Sequence, residues 1–508
     1  MTQRRIPEHR RGFEARMPHS PQSRVRRLSI RGRIPALVWV VLSLAKLSSG
    51  VPSARSRTMV IRLLTPIASY SPAGTRFTAR MIGPELGDGV DLLPRDSIVT
   101  GTIKKAASVR FGVWRERAML QLTFDGCQLP DGTSLACTVG LEEVDNARES
   151  VNGNRIQGVV AASHPLNWLT GVWYKPESLM VPRAAMGLTG AAGTLYTRFM
   201  PTPIGAAAVL GSEIVLDRMP DPEISYPAGT DLRVRIEVPA GFPPSHERLA
   251  PVPADLAQWV AAQPTEVYLP DQRLAGDMIH LVFVGSRRQV ESAFLAAGWT
   301  TPVPLTRRSF AHMYAAYNAM KADPTAPIAP LTYRGSTSTL DFQRTLNTVA
   351  KRHHIRIWPG SFAGTEVWLA AATHDTSITL DRKHMKATHR IDPLIDRERT
   401  TVVNDLASAG CVAGVGSVER PLAVRRAGAG KPSVTDGSAA LLFLADCSPS
   451  PPTGLDLQEP RRTRTTIAMR RFFLEDRQYL MRDNVYYWLY RAGASLVKRE
   501  FPTRAPAE

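Results

Sequence analysis

The stretch KRHHIRIWPGSFAGTEVWLAAATHDTSITLDRKHMKATHRIDPLIDRER, residues 351–399, decides how the second half of the chain is read. Runs rich in β-branched and aromatic residues at 354–358, 366–373 and 377–380 read as strands. The Asp392-Pro393 pair ends that pattern. Proline is tolerated at the first helical position, so Asp392 is expected to N-cap a helix over 393–409, with Asp396 and Glu398 near its positive end. Five of the 11 histidines of the chain lie here: His353, His354, His374, His384 and His389. Side chains alternate across a strand, so His353 and His354 point to opposite faces, and His354 shares its face with Arg356 and Trp358.

Upstream of this block, 279–285 reads as an apolar strand and 289–297 as a helix closed by Gly298. A second amphipathic helix, 309–321, stops at Asp323-Pro324, and 331–333 reads as a further strand. Alternating strands and helices point to a mixed α/β domain over 274–446. The first half differs. Residues 62–144 read as strands only, among them 76–81, 97–104 and 119–124, separated by Gly- and Pro-containing turns. The turn Pro72-Ala73-Gly74-Thr75 recurs as Pro227-Ala228-Gly229-Thr230, each time just before a strand, which predicts two related strand pairs closing one barrel or sandwich. The expected fold class is therefore α+β overall, an N-terminal all-β barrel- or sandwich-like domain followed by a mixed α/β domain. The expected division is a basic leader at 1–58, a β-rich domain at 59–240, a Pro-rich linker at 241–273, the mixed domain at 274–446, and a Pro-rich linker with basic tail at 447–508. The Ala- and Gly-rich segment 187–210 fits a helix, a hairpin or a membrane-leaning insertion equally well, and the tail holds one helical candidate, 475–489.

The net charge of +18 looks like a signal for nucleic acid until it is divided along the chain. Residues 1–62 hold 14 basic residues against 2 acidic, and 461–508 hold 11 against 5, whereas 63–460 balance 38 against 38. A groove for a phosphate backbone would need its charge on the folded body, so no nucleic-acid partner is expected. The leader accounts for its own charge. Arg24, Arg26, Arg27, Arg31 and Arg33 precede the apolar run 34–45, and small residues follow at 48–54. That order is a secretory signal peptide, and the run falls short of the roughly 20 residues of a membrane span. The chain is expected to be exported, to the periplasm or the outer face of the membrane, with anchoring by 34–45 as the alternative to cleavage. Cys127 and Cys137 flank a turn between two strand-like runs, and Cys411 and Cys447 form a possible second pair. Buried free thiols are the competing reading, and connectivity stays open.

Six blocks of sequence resemble the LssY C-terminal-like domain family over about 274–446. They are Gly276-Asp277-Met278-Ile279, Ala297-Gly298-Trp299, 351–358, 367–375, 388–399 and Val434-Thr435-Asp436-Gly437. The resemblance implies a setting near a type I secretion component or integral-membrane segments, and no established reaction. Arg390 stands where many relatives look to have a second histidine, and His374 where an aromatic residue is more typical. The β-rich half is similar to an exported bacterial β-domain found ahead of this module. Expected partners are cell-envelope or secretion components, with lipid headgroups as a candidate ligand.

The candidate pocket gathers His354, Arg356, Asp375, His389, Asp392 and Asp396. Three chemistries suit these residues. Helix capping and packing explain Asp392, Asp396 and Glu398 without any ligand. Imidazole and carboxylate from His354, Asp375, His389 and Asp392 would suit a divalent metal as cofactor, which could activate water for a phosphoester hydrolase. His354, Arg356 and His389 would alternatively bind an anion, with Arg352 at the rim. The expected function is an exported envelope protein with a binding or secretion-associated role, and the alternative is the metal-assisted hydrolase.

Overall fold

A computed structural model describes residues 55–86, 90–109, 117–159, 223–243, 245–246, 249–270, 275–318, 321–381, 386–420, 424–428, 431–447, 493 and 496. The leader before residue 55, the segment 187–210, His384 and the 475–489 helix candidate lie outside the described residues. Alternation builds the first half. In Arg55–Leu63 (β1), Met59, Ile61 and Leu63 are buried and their neighbours are partly exposed, so one face of the strand meets a core. The other strands of this sheet are Arg76–Pro84 (β2), Ile98–Ala107 (β3), Met119–Gln128 (β4), Thr138–Val144 (β5), Ser150–Asn152 (β6), Arg155–Gln157 (β7) and Asp231–Val238 (β8). They pair in the order β5-β8-β1-β2-β3-β4-β7-β6, with Ser134–Leu135 added beside β4. The two ends of that order, β5 and β6, are consecutive in sequence. The sheet curls until it is nearly a barrel, and residues 145–149 close it.

The repeated turns explain how β1 is held. Gly74 and Gly229 sit at φ of +88° and +89°, a conformation suited to glycine. In both turns the threonine hydroxyl donates to the proline carbonyl at 2.8 Å. The strands they launch, β2 and β8, pair antiparallel with opposite edges of β1. The two copies are the two flanks of one strand.

In the second half, Leu340–Arg344 (β10), Arg352–Phe362 (β11), Thr365–Asp381 (β12), Leu281–Val284 (β9), Ala439–Leu444 (β15) and Val412–Val418 (β14) pair in that order, and Lys386–Ile391 (β13) pairs with β12. Only β9 and β15 run parallel. The helices described are Ala254–Ala261 (α1), Arg287–Ala296 (α2), Arg307–Asn318 (α3) and Ile395–Ser408 (α4). Ser286 caps α2 with a capping box to Gln289, and Gly298 at φ +82° closes it. The expected 393–409 helix starts later, at Ile395. The Oδ1 of Asp392 accepts from the Leu394 backbone in a turn ahead of the helix.

Period two gives this sheet two cores. Ile355, Ile357, Ala370 and Ala372 face α2 and α4, where Phe283, Phe294, Trp299 and Phe342 pack. Trp358, Val367, Leu369 and Ala371 face α1. Both cysteine pairs are joined, Cys127–Cys137 across the turn after β4 and Cys411–Cys447 beside α4. Among the described residues no helix is long and apolar enough to cross a membrane.

The two halves meet through buried charge. Asp405 of α4 is fully buried and receives Arg62 of β1 at 2.6 Å, Arg344 of β10 at 2.8 Å and the Trp299 indole N–H at 2.8 Å. Both guanidinium groups also hold Asp231 of β8, at 2.7 and 2.6 Å. Nearby, a Cβ at Gly83 would lie 2.3 Å from Asn404 Oδ1, so α4 approaches β2 as closely as a backbone allows. Asp405→Ala strips one carboxylate from two buried guanidinium groups, and the expected loss is about 3–5 kcal/mol. Urea unfolding of the oxidised chain measures it. A loss below about 1 kcal/mol would mean that water or a shifted acid replaces Asp405.

Candidate functional site

Antiparallel pairing of β11 with β12 sets Arg352 opposite Asp375, His353 opposite His374 and His354 opposite Thr373. The histidine block is therefore split between the two faces of one sheet.

On the α1 face, Asp375 is buried and gathers three cationic or hydrogen-bonding groups. Arg352 Nε lies 3.1 Å from Oδ2, His389 Nδ1 3.1 Å from Oδ2, and His354 Nε2 3.3 Å from Oδ1. Arg356 Nη1 comes within 3.4 Å of His354 Nδ1 but gives its strong bonds to Asp277 at 2.7 Å and to the Ala329 carbonyl. Burial alone would raise the Asp375 pKa. His389, His354 and Arg352 outweigh it and hold the carboxyl well below the usual range. Of the six pocket candidates, His354, Arg356, Asp375 and His389 converge here.

Asp392 and Asp396 do not. Asp392 is spent on the Leu394 N–H and on Arg397 at 3.4 Å. Asp396 accepts from the Thr435 hydroxyl, the Asp436 N–H and Arg399. Asp392 therefore serves a turn ahead of the helix rather than its N-cap, and Asp396 ties the first helical turn to Thr435 and Asp436. The ligand set His354, Asp375, His389, Asp392 thus lacks one member, and Arg352 on the same Asp375 oxygen sets a fixed cation where a metal would sit.

The opposite face carries the residues that sequence reasoning missed. His353 donates from Nδ1 to Glu398 Oε2 at 2.6 Å and from Nε2 to Asp145 Oδ2 at 2.8 Å. His374 stacks on it, with centroids 4.3 Å apart and planes at 23°, and its Nε2 lies 3.1 Å from Asn146 Oδ1. Burial would lower the His353 pKa, but Asp145 and Glu398 raise it well above the ordinary value. Burial, followed by the neighbouring His353 charge, pushes His374 down to about 4. Asp145 and Asn146 belong to the loop that closes the barrel, and Asn146 takes φ +53°, tolerable for asparagine. The same loop takes the Asn347 amide on Glu149 at 2.7 Å, and the Arg148 backbone N–H donates to Asn347 Oδ1. A cavity of about 370 Å³ opens beside it, between the Pro227–Asp231 turn, Ala296–Gly298 and Arg344.

A second cavity, about 400 Å³, lies between α4 and β14. Arg420 in its wall is buried and, among the described residues, donates to the carbonyls of Gly437 and Ile279. Burial, then the nearby Arg399, pulls its pKa down to about 10. Arg399 itself is forked onto Asp436.

These elements fall in the segment that matches a known family: residues 263–438 match the LssY C-terminus. This part of the chain is an LssY C-terminal-like domain. The match covers about a third of the chain and leaves the β-domain outside it. No curated protein matches the chain. Within the LssY-like domain, every histidine described in the 351–399 span has a carboxylate, hydroxyl or amide partner.

Asp375 has a depressed pKa, so its stabilisation is complete above the unfolded carboxylate value and is lost progressively as pH falls from there through the lower folded value. Asp375→Asn is expected to cost about 3 kcal/mol at pH 7, and the gap to wild type is expected to shrink below about pH 4. Urea midpoints of both proteins from pH 3 to 8 measure this. A gap independent of pH would mean that the charge of Asp375 is not what matters.

Proposed function

We propose that the protein is an exported cell-envelope component that works by binding, its β-domain and LssY-like domain acting as one body on an envelope or secretion partner. One observation carries the reading: all four cysteines of the chain are paired, Cys127 with Cys137 and Cys411 with Cys447. Structural disulfides persist in oxidising compartments and are rare in the cytosol. The basic, apolar and small-residue order of 24–54 agrees with that address. The balanced charge of 63–460 suits a protein or small anionic ligand better than a nucleic acid.

For an anionic ligand such as a phosphate headgroup, the favoured anchor moves from His354 and His389 to Arg420. His354 and His389 are committed to Asp375. Arg420 has no carboxylate within ion-pair distance among the described residues and borders a cavity. A second reading, metal-assisted hydrolysis of phosphoesters, is favoured by Asp145 and Asn146 lining the 370 Å³ cavity, where an ion and a substrate would meet.

A reporter fused after Thr58 is expected outside the cytoplasm, and thiol alkylation of the recovered chain is expected to label no cysteine until reductant is added. A cytoplasmic fusion, or four thiols that react without reduction, would sink the export reading. Calorimetric titration of the folded chain with inorganic phosphate is expected to give saturable heat that Arg420→Met abolishes. Equal heats from both proteins would remove Arg420 as the anchor.

A further inference from the structure

We propose that Asp145, His353 and His374 form a divalent-metal site that joins the β-domain to the LssY-like domain. The inference holds whether the protein binds a partner or hydrolyses a substrate. One carboxylate oxygen and one ring nitrogen from each histidine all lie within 4.8 Å of one another. Two donors on one tetrahedral Zn²⁺ sit about 3.3 Å apart, so an ion would need the His353–Asp145 pair to open from 2.8 Å and the wider pairs to draw in.

The directions of the rings matter more than the spacing. His353 and His374 come from adjacent strands, yet their Nε2 atoms address consecutive residues of a single loop, Asp145 at 2.8 Å and Asn146 at 3.1 Å. The two rings stack with centroids 4.3 Å apart, which keeps the two histidines together at this loop. Glu398 occupies the outer position that metal-bound histidines commonly use. It accepts from His353 Nδ1 at 2.6 Å, which fixes the ring and leaves Nε2 for the ion. Its second oxygen, Oε1, is buried and has no hydrogen-bond partner among the described residues. Asn146 Oδ1 supplies a neutral fourth oxygen.

Charge separates this face from the Asp375 face. Arg344, whose charge acts on Asp145, spends its bonds on Asp231 and Asp405. Two carboxylates, Asp145 and Glu398, therefore share one histidine, and a dication that replaces the Nε2 proton of His353 completes the balance. Entry runs through the 370 Å³ cavity, whose wall includes Asp145 and Asn146. Two imidazoles with carboxylate and amide oxygens suit Zn²⁺, Mn²⁺ or Fe²⁺ better than Mg²⁺ or Ca²⁺.

The untagged, oxidised chain, stripped with EDTA and dialysed against Zn²⁺ or Mn²⁺, is expected to keep one ion per molecule by elemental analysis. It is also expected to unfold at a higher temperature with the ion than without it. His374→Gln and the near-isosteric Asp145→Asn are expected to lose both effects while keeping the wild-type circular dichroism. Glu398→Gln is expected to weaken binding about 10–100-fold. A folded wild type that keeps no ion overturns the proposal. So does ion uptake that is unchanged in a folded Asp145→Asn or His374→Gln protein, because the ion would then sit elsewhere, as at His354 and His389.

Discussion

The fully buried carboxylate of Asp405 is the constraint on which the arrangement of the two halves depends. It lies on a helix of the LssY-like domain and takes guanidinium groups from both sides, Arg62 of the β-domain and Arg344 of its own sheet. Asp231 returns the exchange from the β-domain. Two cations and two anions balance in this geometry. Sliding α4 by one turn along β1 and β2 would leave a bare charge in a dry interface, which costs several kcal/mol. Apolar contacts could give similar stability, but they would tolerate a range of docking angles. Here the charges select a single one, and the Gly83–Asn404 approach leaves no room for another.

The loop that closes the barrel is also a contact between the two halves. Residues 145–149 link the two ends of the strand order, and the same residues reach His353, His374 and Asn347. A β-sheet that fails to close would withdraw Asp145 from His353 and leave an imidazolium with one carboxylate instead of two. Conversely, a missing LssY-like domain would leave the left-handed turn at Asn146 without the contacts that hold it. Each domain completes a part of the other.

Much of the fold was legible because local rules and tertiary context agree. The Pro-Ala-Gly-Thr turns need glycine at positive φ and launch strands, and the structure has two such strands on the edges of β1. Ser286, Gln289 and Gly298 mark both ends of α2. Around Asp392 the expected helix is present but starts two residues later, and Asp392 is not its N-cap, because its side chain serves a turn before the helix. The candidate site was legible only in part. Alternation separated His353 from His354, and the convergence of His354, Asp375 and His389 follows from it. Which face would meet the β-domain depended on Asp145 and Asn146, more than 200 residues upstream of His353 and in a turn with no motif. Glu398 looked like a helix-dipole acid, and only the packing of α4 on β11 turns it into a histidine partner.

The two histidine faces differ in a way that residue types do not reveal. Each pairs one aspartate, buried at Asp375 and half-buried at Asp145, with two imidazoles, so a ligand count treats them alike. Arg352 decides between them. Its guanidinium, 3.1 Å from Asp375, already supplies the fixed positive charge that an ion would bring, and the Asp375 cluster is closed as an ion-paired strut between β11, β12 and β13. On the other face the positive charge is a proton on His353, held between two carboxylates. A proton, unlike a guanidinium, can leave. The proposed metal site therefore lies where the two halves meet, one residue along each strand from the site that the ligand types first suggest.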